Sequence, residues 1–394
     1  MWIERDLQRQ LAEVAGVRPG LVLTGCRQAG KTSLLQRMFP DCRYVSLDLP
    51  QTSEQAETAG ESFLRENPPP IILDEVQYAP TLLRHVKAAI DKNRQKNGQF
   101  LITGSNRFSL MDGVTESLAG RVAVLGCHTL SALEIEMHRG KVVGGESLGD
   151  VVFRGGYPEM HVSDLDPQRF FSDYLATYLE RDVRTALEVR SLRDFDRFMR
   201  LAALRTGQLL NMASLAADVG VAITTIKSWL SVLESSGIVQ LVQPYFSNAS
   251  KRLIKTPKLF FLDTGLACFL CGLRKAQDLR ESVLRGQMFE THVLGQIMRW
   301  YANRGLHAPV HFFQDHARHE VDFVIPVGNR VKLYECKWAE MPEQDTPGLQ
   351  AIRKLVGPEN VLTQSIITPT RGHWRNERTG LIIEDSIELA SLAE

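Results

Sequence analysis

Gly25-Cys26-Arg27-Gln28-Ala29-Gly30-Lys31-Thr32 stands between the apolar run Leu21-Val22-Leu23-Thr24 and the stretch Ser33-Leu34-Leu35-Gln36-Arg37-Met38. The spacing is that of G-x-x-x-x-G-K-[ST], a loop that cradles phosphates between a strand and a helix. Its glycines permit the tight turn that aims backbone N–H groups inward, and the helix start adds a partial positive charge. Gly25 to Ser33, with Cys26, Arg27, Gln28, Ala29 and Gly30 between, is therefore the expected ATP-binding stretch. Lys31 is expected to reach the β- and γ-phosphates, and Thr32 to offer its hydroxyl to Mg²⁺.

Downstream, Tyr44-Val45-Ser46-Leu47-Asp48 reads as a second strand, and Ile71-Ile72-Leu73-Asp74-Glu75 as an apolar strand ending in two carboxylates. After a P-loop, that ending suits metal binding by Asp74 and polarisation of the attacking water by Glu75. Phe100-Leu101-Ile102-Thr103-Gly104-Ser105-Asn106 is a further strand with small polar residues at its end. There Ser105 or Asn106 is expected to meet the γ-phosphate.

The chain has 394 residues, with 46 basic and 46 acidic side chains and no net charge. That length suits two or three domains. Charge neutrality makes any nucleic-acid surface a local patch. No apolar run reaches the roughly 18 residues of a membrane span. The charged start Met1-Trp2-Ile3-Glu4-Arg5-Asp6 lacks a signal core, so a cytoplasmic location and no membrane partner are expected. Cys268 and Cys271 form a lone C-x-x-C in an apolar segment, which reads as two buried thiols.

Tyr174 to Arg205 has helical periodicity with many charges and is expected to form a helical lid. Met212 to Val219, a break at Gly220, and Ile223 to Glu234 give a helix-turn-helix layout, followed by a wing strand at Gly237 to Val242. From Gln240 to Leu262 there is no acidic residue, whereas Lys251, Arg252, Lys255 and Lys258 are present. A basic wing beside such a helix suits DNA phosphates. Thr224, Thr225, Lys227 and Ser228 are the helix residues expected to reach DNA, by its structure more than its base sequence, because no Arg or Asn projects to read bases.

In the C-terminal part, a helix opening at Arg285 carries Glu290. His319 to Ile325 and Lys332 to Trp338 alternate as strands of a hairpin, with Gly328-Asn329 at the turn. Alternation puts Glu335 and Lys337 on one face and brings Asp322 alongside. E-x-K alone arises about once in a chain of this length, so the ensemble of helix glutamate, strand aspartate and E-x-K carries the signal.

That ensemble resembles the restriction-endonuclease-like PD-(D/E)xK fold. The resemblance implies that Asp322, Glu335 and Glu290 bind Mg²⁺ and that Lys337 positions an attacking hydroxide. Leu118-Ala119-Gly120-Arg121 resembles the Gly-Arg motif of AAA-type ATPases, which implies that Arg121 acts as a finger on a neighbouring subunit's γ-phosphate. A homo-oligomer follows, a hexameric ring among the options. The whole order is similar to a widespread bacterial and archaeal family joining an AAA-type ATPase to a winged helix and a nuclease-like domain of unknown function. Further marks are Gly155-Gly156-Tyr157-Pro158, Arg205-Thr206-Gly207-Gln208, Lys255-Thr256-Pro257-Lys258, Asp263-Thr264-Gly265-Leu266 and Glu320-Val321-Asp322. The expected fold class is α/β: a P-loop AAA-type ATPase core over 1–140, a helical lid over 141–205, a winged helix-turn-helix over 206–275, and an α/β restriction-endonuclease-like domain over 276–394. The implied activity is ATP-driven binding and remodelling of DNA, forked or branched forms included, with a Mg²⁺-dependent nuclease-like site. The competing reading is a nucleotide-gated oligomeric scaffold with an inactive nuclease-like domain.

Overall fold

The computed structural model describes residues 2–104, 117–163, 165–179, 191–245, 255–338, 346–377 and 379–393. The chain divides into two compact units. The first comprises residues 1–130 with the short segments 235–237 and 299–307.

In the first unit, β1 (Gly20–Thr24), β2 (Arg43–Ser46), β3 (Ile71–Asp74), β4 (Phe100–Gly104) and β5 (Val122–Gly126) form a parallel sheet of order β2-β3-β4-β1-β5. β1, β3 and β4 are buried along their whole length, as their unbroken apolar runs require of a sheet covered on both faces. α1 (Leu7–Val17), α2 (Lys31–Met38), α3 (Pro50–Thr58), α4 (Gly60–Glu66) and α5 (Leu82–Lys92) accompany the sheet. Phe63 of α4 and Leu82, Val86 and Ile90 of α5 pack on Leu73, Phe100 and Ile102. β4 stands between the P-loop strand β1 and the acidic strand β3, so its C-terminal end reaches both.

The second unit contains the remaining residues. Its helices include α6 (Ala132–Arg139), α7 (Glu146–Arg154), α8 (Glu159–Val162), α9 (Pro167–Tyr174), α10 (Leu192–Ala203), α11 (Met212–Val219) and α12 (Ile223–Ser235). α11 and α12 meet at 104°, around Gly220 in the left-handed region, φ +89°. Ile226, Trp229, Leu230 and Leu233 form the buried face of α12. The Gly155-Gly156 pair closes onto α13 (Thr264–Leu270). Asp263 caps that helix through the Gly265 and Leu266 N–H groups and accepts from the Gly156 N–H at 2.8 Å. A Cβ on Gly155 would lie 2.2 Å from the Asp263 carboxylate, and one on Gly265 2.4 Å from the Arg154 carbonyl. Two motifs quoted in the sequence thus form one packing joint.

β6 (Gln208–Leu209), β7 (Val239–Pro244), β8 (Lys258–Phe261), β9 (His311–Gln314), β10 (Glu320–Val327), β11 (Arg330–Cys336), β12 (Val361–Thr368), β13 (His373–Arg375) and β14 (Ile382–Asp385) form one sheet. Its order is β13-β14-β12-β11-β10-β9-β7-β8-β6. The strands expected for the wing and for the nuclease-like region are joined where β7 runs parallel to β9, Gln243 beside His311 and Pro244 beside Phe312. α14 (Ala276–Glu281) and α15 (Arg285–Ala302) precede β9, and α16 (Pro347–Val356) lays Leu349 and Ile352 on Val321, Leu333 and Ile366. Among the described residues no single helix is long and apolar enough to cross a membrane.

Candidate nucleotide site and an acidic cluster

At the C-terminal end of β1 the chain turns through Gly25, where a Cβ would lie 2.0 Å from the Cys127 carbonyl oxygen. Gly30, at φ +89°, turns the backbone into α2. Lys31 is buried at the start of α2, and its ammonium donates to the Gly25 and Cys26 carbonyls at 2.9 Å each. The lysine therefore sits folded over the loop whose phosphates it is expected to meet. Arg5 braces the loop from the N-terminal segment, donating to the Ala29 carbonyl at 2.9 Å and the His128 carbonyl at 2.7 Å. Nothing in a local motif signals Arg5, since its partners lie far along the chain.

The Thr32 hydroxyl donates to Asp74 Oδ1 at 2.7 Å, and the Tyr44 hydroxyl to Asp74 Oδ2 at 3.0 Å. Burial first, then the charge on Asp74, pushes the Tyr44 phenol up to about 12. Thr103, fully buried on β4, donates to Asp74 Oδ1 and accepts from the Glu75 N–H at 3.1 Å. Glu75 itself is held at φ +56°, a costly position for a residue with a side chain, and Gln77 hydrogen-bonds its carboxylate. Hydroxyl and carboxylate oxygens brought together at Thr32 and Asp74 are the hard donors that suit Mg²⁺ beside nucleotide phosphates.

Arg121 lies on the surface of the first unit and holds Asp91 through two hydrogen bonds, at 2.8 and 2.9 Å. Ser105 and Asn106 fall outside the described residues, as do Lys251 and Arg252. Arg205 pairs with Asp218.

The second unit holds a different kind of site. Glu290 of α15 and Glu320 and Asp322 of β10 bring three carboxylates within 4.8 Å of one another. The β9–β10 register shifts between Val321 and Val324, a bulge that spans Asp322. Asp322 Oδ2 accepts from the Cys336 N–H at 2.7 Å, and Glu320 Oε2 from the Gln314 amide at 2.5 Å. Glu335 is buried beside Asp322; burial first, then the Asp322 charge, pushes its carboxyl up to about 8. Lys337 stands 3.9 Å from Glu335. Sequence reasoning missed Glu320, although it lies two residues before Asp322 and so on the same face of the strand. His319 pairs with Asp315 at 2.9 Å and takes no part.

Lys258 is a correction. Read in the sequence as part of a basic wing facing phosphate, it is buried, with its side chain only 3% exposed. Its ammonium donates to Glu290 Oε1 at 2.8 Å and to Glu320 Oε1. Burial opposes that charge, but Glu290, Asp322 and Glu320 outweigh it and hold the lysine protonated. Lysine belongs there because its partners, more than 30 residues away in sequence, are carboxylates. Thr224, Lys227, Ser228 and Lys255, by contrast, are exposed, and Thr225 is partly so.

Comparison with known proteins gives three matched regions. Residues 17–136 match an AAA domain, residues 145–277 a domain of unknown function (DUF8612), and residues 285–379 a domain of unknown function (DUF4143). Uncharacterized protein Rv2008c of Mycobacterium tuberculosis is 30% identical over 353 residues, covering 87% of this chain and 76% of its own length. Uncharacterized protein Mb2031c of Mycobacterium bovis gives the same values. Among solved structures, the Walker-type ATPase PABY2304 of Pyrococcus abyssi is 17% identical, with a TM-score of 0.46, covering 68% of this chain and 96% of that one. AMPPCP-bound DnaA from Aquifex aeolicus is 13% identical, with a TM-score of 0.31, covering 58% and 85%.

Proposed function

The chain belongs to the family of the mycobacterial proteins Rv2008c and Mb2031c, and from that premise we propose that it binds and hydrolyses ATP at its AAA domain and uses the cycle to bind and remodel DNA. One observation carries the nucleotide reading: the Thr32 hydroxyl is bonded to Asp74, with Thr103 joining that carboxylate to Glu75. Thr32 and Asp74 would hold Mg²⁺, which when bound neutralises charge on the β- and γ-phosphates. Lys31 exchanges its two loop carbonyls for phosphate oxygens, and the loop N–H groups of Gly25 to Ser33 bind the remaining phosphate oxygens. Glu75 orients the water in line with the γ-phosphate and draws on its proton. Arg121, released from Asp91, serves the site of a neighbouring copy, which makes the working form a homo-oligomer. Asn106 is the proposed γ-phosphate sensor.

The DNA reading is supported by the 104° meeting of α11 and α12 and by the exposure of Thr224, Lys227 and Lys255. Helix-turn-helix pairs meet at roughly 90–120°. Thr225 adds to the proposed contact surface, and Lys251 and Arg252 are proposed as DNA contacts from the sequence alone. The test is ATP turnover with single-stranded, duplex, forked and four-way DNA. Stimulation by one form supports the proposal. Turnover unaffected by every form points to the second reading, a nucleotide-gated scaffold, which the Lys258–Glu290 ion pair favours because it engages one of the carboxylates from which the nuclease-like resemblance expects metal binding.

A further inference from the structure

Three carboxylates within 4.8 Å form a spacing that a divalent ion could bridge, since oxygen ligands stand about 2.1 Å from magnesium. The residues present do not fit such an ion. The Lys258 ammonium already bonds two of the three carboxylates, Glu290 and Glu320. It is also walled by aromatic rings: Phe312 lies 5.4 Å away and Phe260 5.9 Å, both rings fully buried. Two positive centres in this space would repel strongly, because little water screens them. Nor can the lysine swing aside cheaply, since its side chain is enclosed on a strand paired along both edges. It stands on β8, paired with Leu209 of β6 on one side and Val242 of β7 on the other.

The neighbours are shaped around the lysine's partners. Gly207, at φ +76°, passes Glu290 so closely that a Cβ would lie 3.3 Å from its carboxylate. The Thr206 hydroxyl bonds Thr291, the residue after Glu290, and accepts from the Phe261 N–H on the lysine's own strand. The Arg205-Thr206-Gly207, Lys258 and Glu320-Val321-Asp322 motifs thus converge on one partly buried ion cluster.

We propose that Lys258 is the resident cation of this cluster, standing in the place of a divalent metal and clasping β8 to α15 and β10, so that Asp322 is left without the partners, Glu290 and Glu320, with which it would hold Mg²⁺. Removing the ammonium while keeping the carboxylates uncovers a latent divalent-ion site. No P-loop residue takes part, so the clasp stands whether or not the chain hydrolyses ATP.

The test is Mn²⁺ binding to the full chain without nucleotide, followed by the electron paramagnetic resonance of free Mn²⁺, for wild type, Lys258→Ala, Asp322→Asn and the double variant. Expected are equal binding by wild type and Asp322→Asn, one additional bound ion in Lys258→Ala, and loss of that ion in the double variant. Binding by wild type that Asp322→Asn removes would overturn the proposal. So would the absence of an additional ion in a folded Lys258→Ala. Should Lys258→Ala fail to fold, Lys258→Met keeps the stem's packing and takes its place. Should both fail, the wild-type and Asp322→Asn pair decides: equal binding supports the clasp and a difference refutes it.

Discussion

The Thr103 hydroxyl donates to Asp74 and accepts from the Glu75 N–H, so a single side chain on β4 ties together both acidic residues at the end of β3. The parallel order places β4 between the phosphate-loop strand and the acidic strand, which is what lets Thr103 reach both. Thr103→Val keeps the shape and removes the hydroxyl. Loss of a buried hydrogen-bond partner costs about 1–3 kcal/mol. The expected result is a lowered melting temperature and a fall in ATP turnover of about 10-fold or more. Nucleotide affinity should stay close to wild type, as read by fluorescent-nucleotide titration.

Lys31→Ala removes the ammonium bonded to the Gly25 and Cys26 carbonyls. Titration calorimetry should then detect no ATP binding. Normal affinity in this variant would refute the nucleotide site itself.

Arg121 and Asp91 permit a paired test. If the arginine serves a neighbouring copy, Arg121→Ala should keep ATP affinity and lose turnover, by up to ~10³–10⁵ as for other arginine fingers. Asp91→Asn frees the guanidinium and should retain turnover. Equal turnover in both variants and wild type would reduce the pair to a solvent-screened surface ion pair of little consequence.

His161 sets a pH dependence. Burial lowers its imidazole to about 4, with the Arg139 and Arg154 charges acting in the same direction against a hydrogen bond to the Gly155 carbonyl. The neutral ring accepts from Arg139 at Nδ1 and donates to Gly155 at Nε2. With a folded value below the ordinary 6.5, the unfolded chain binds more protons between those limits. Stability is therefore full above about 6.5 and falls as pH drops towards about 4, by roughly 3 kcal/mol in all. The melting temperature of His161→Gln should vary less over this range than that of wild type.

The phosphate loop and the acidic strand were legible because their chemistry is local: a turn needs its glycines, and a buried strand needs its apolar run. The C-terminal acidic residues were legible in part. Alternation marks Asp322 and Glu335, and on the strand read from His319 to Ile325 it marks Glu320 as well, on the same face as Asp322. Lys258 was misread for a physical reason. A lysine in a stretch without acidic neighbours looks solvated, and its carboxylates arrive from Glu290 and Glu320 only when the sheet closes. Arg5 was silent in the same way, since a guanidinium donating to backbone carbonyls has no partner residue type to search for.

The parallel contact of β7 with β9 bears on how this chain can be cut. A fragment ending at 275 would carry β6, β7 and β8 with the flank of β7 stripped of its neighbour, and the complementary fragment would bare β9. Each would present unpaired N–H and C=O groups, a template for strand addition between copies. Separately produced halves should therefore self-associate, or recombine with each other when mixed, and activities measured on either alone would report a sheet with a raw edge.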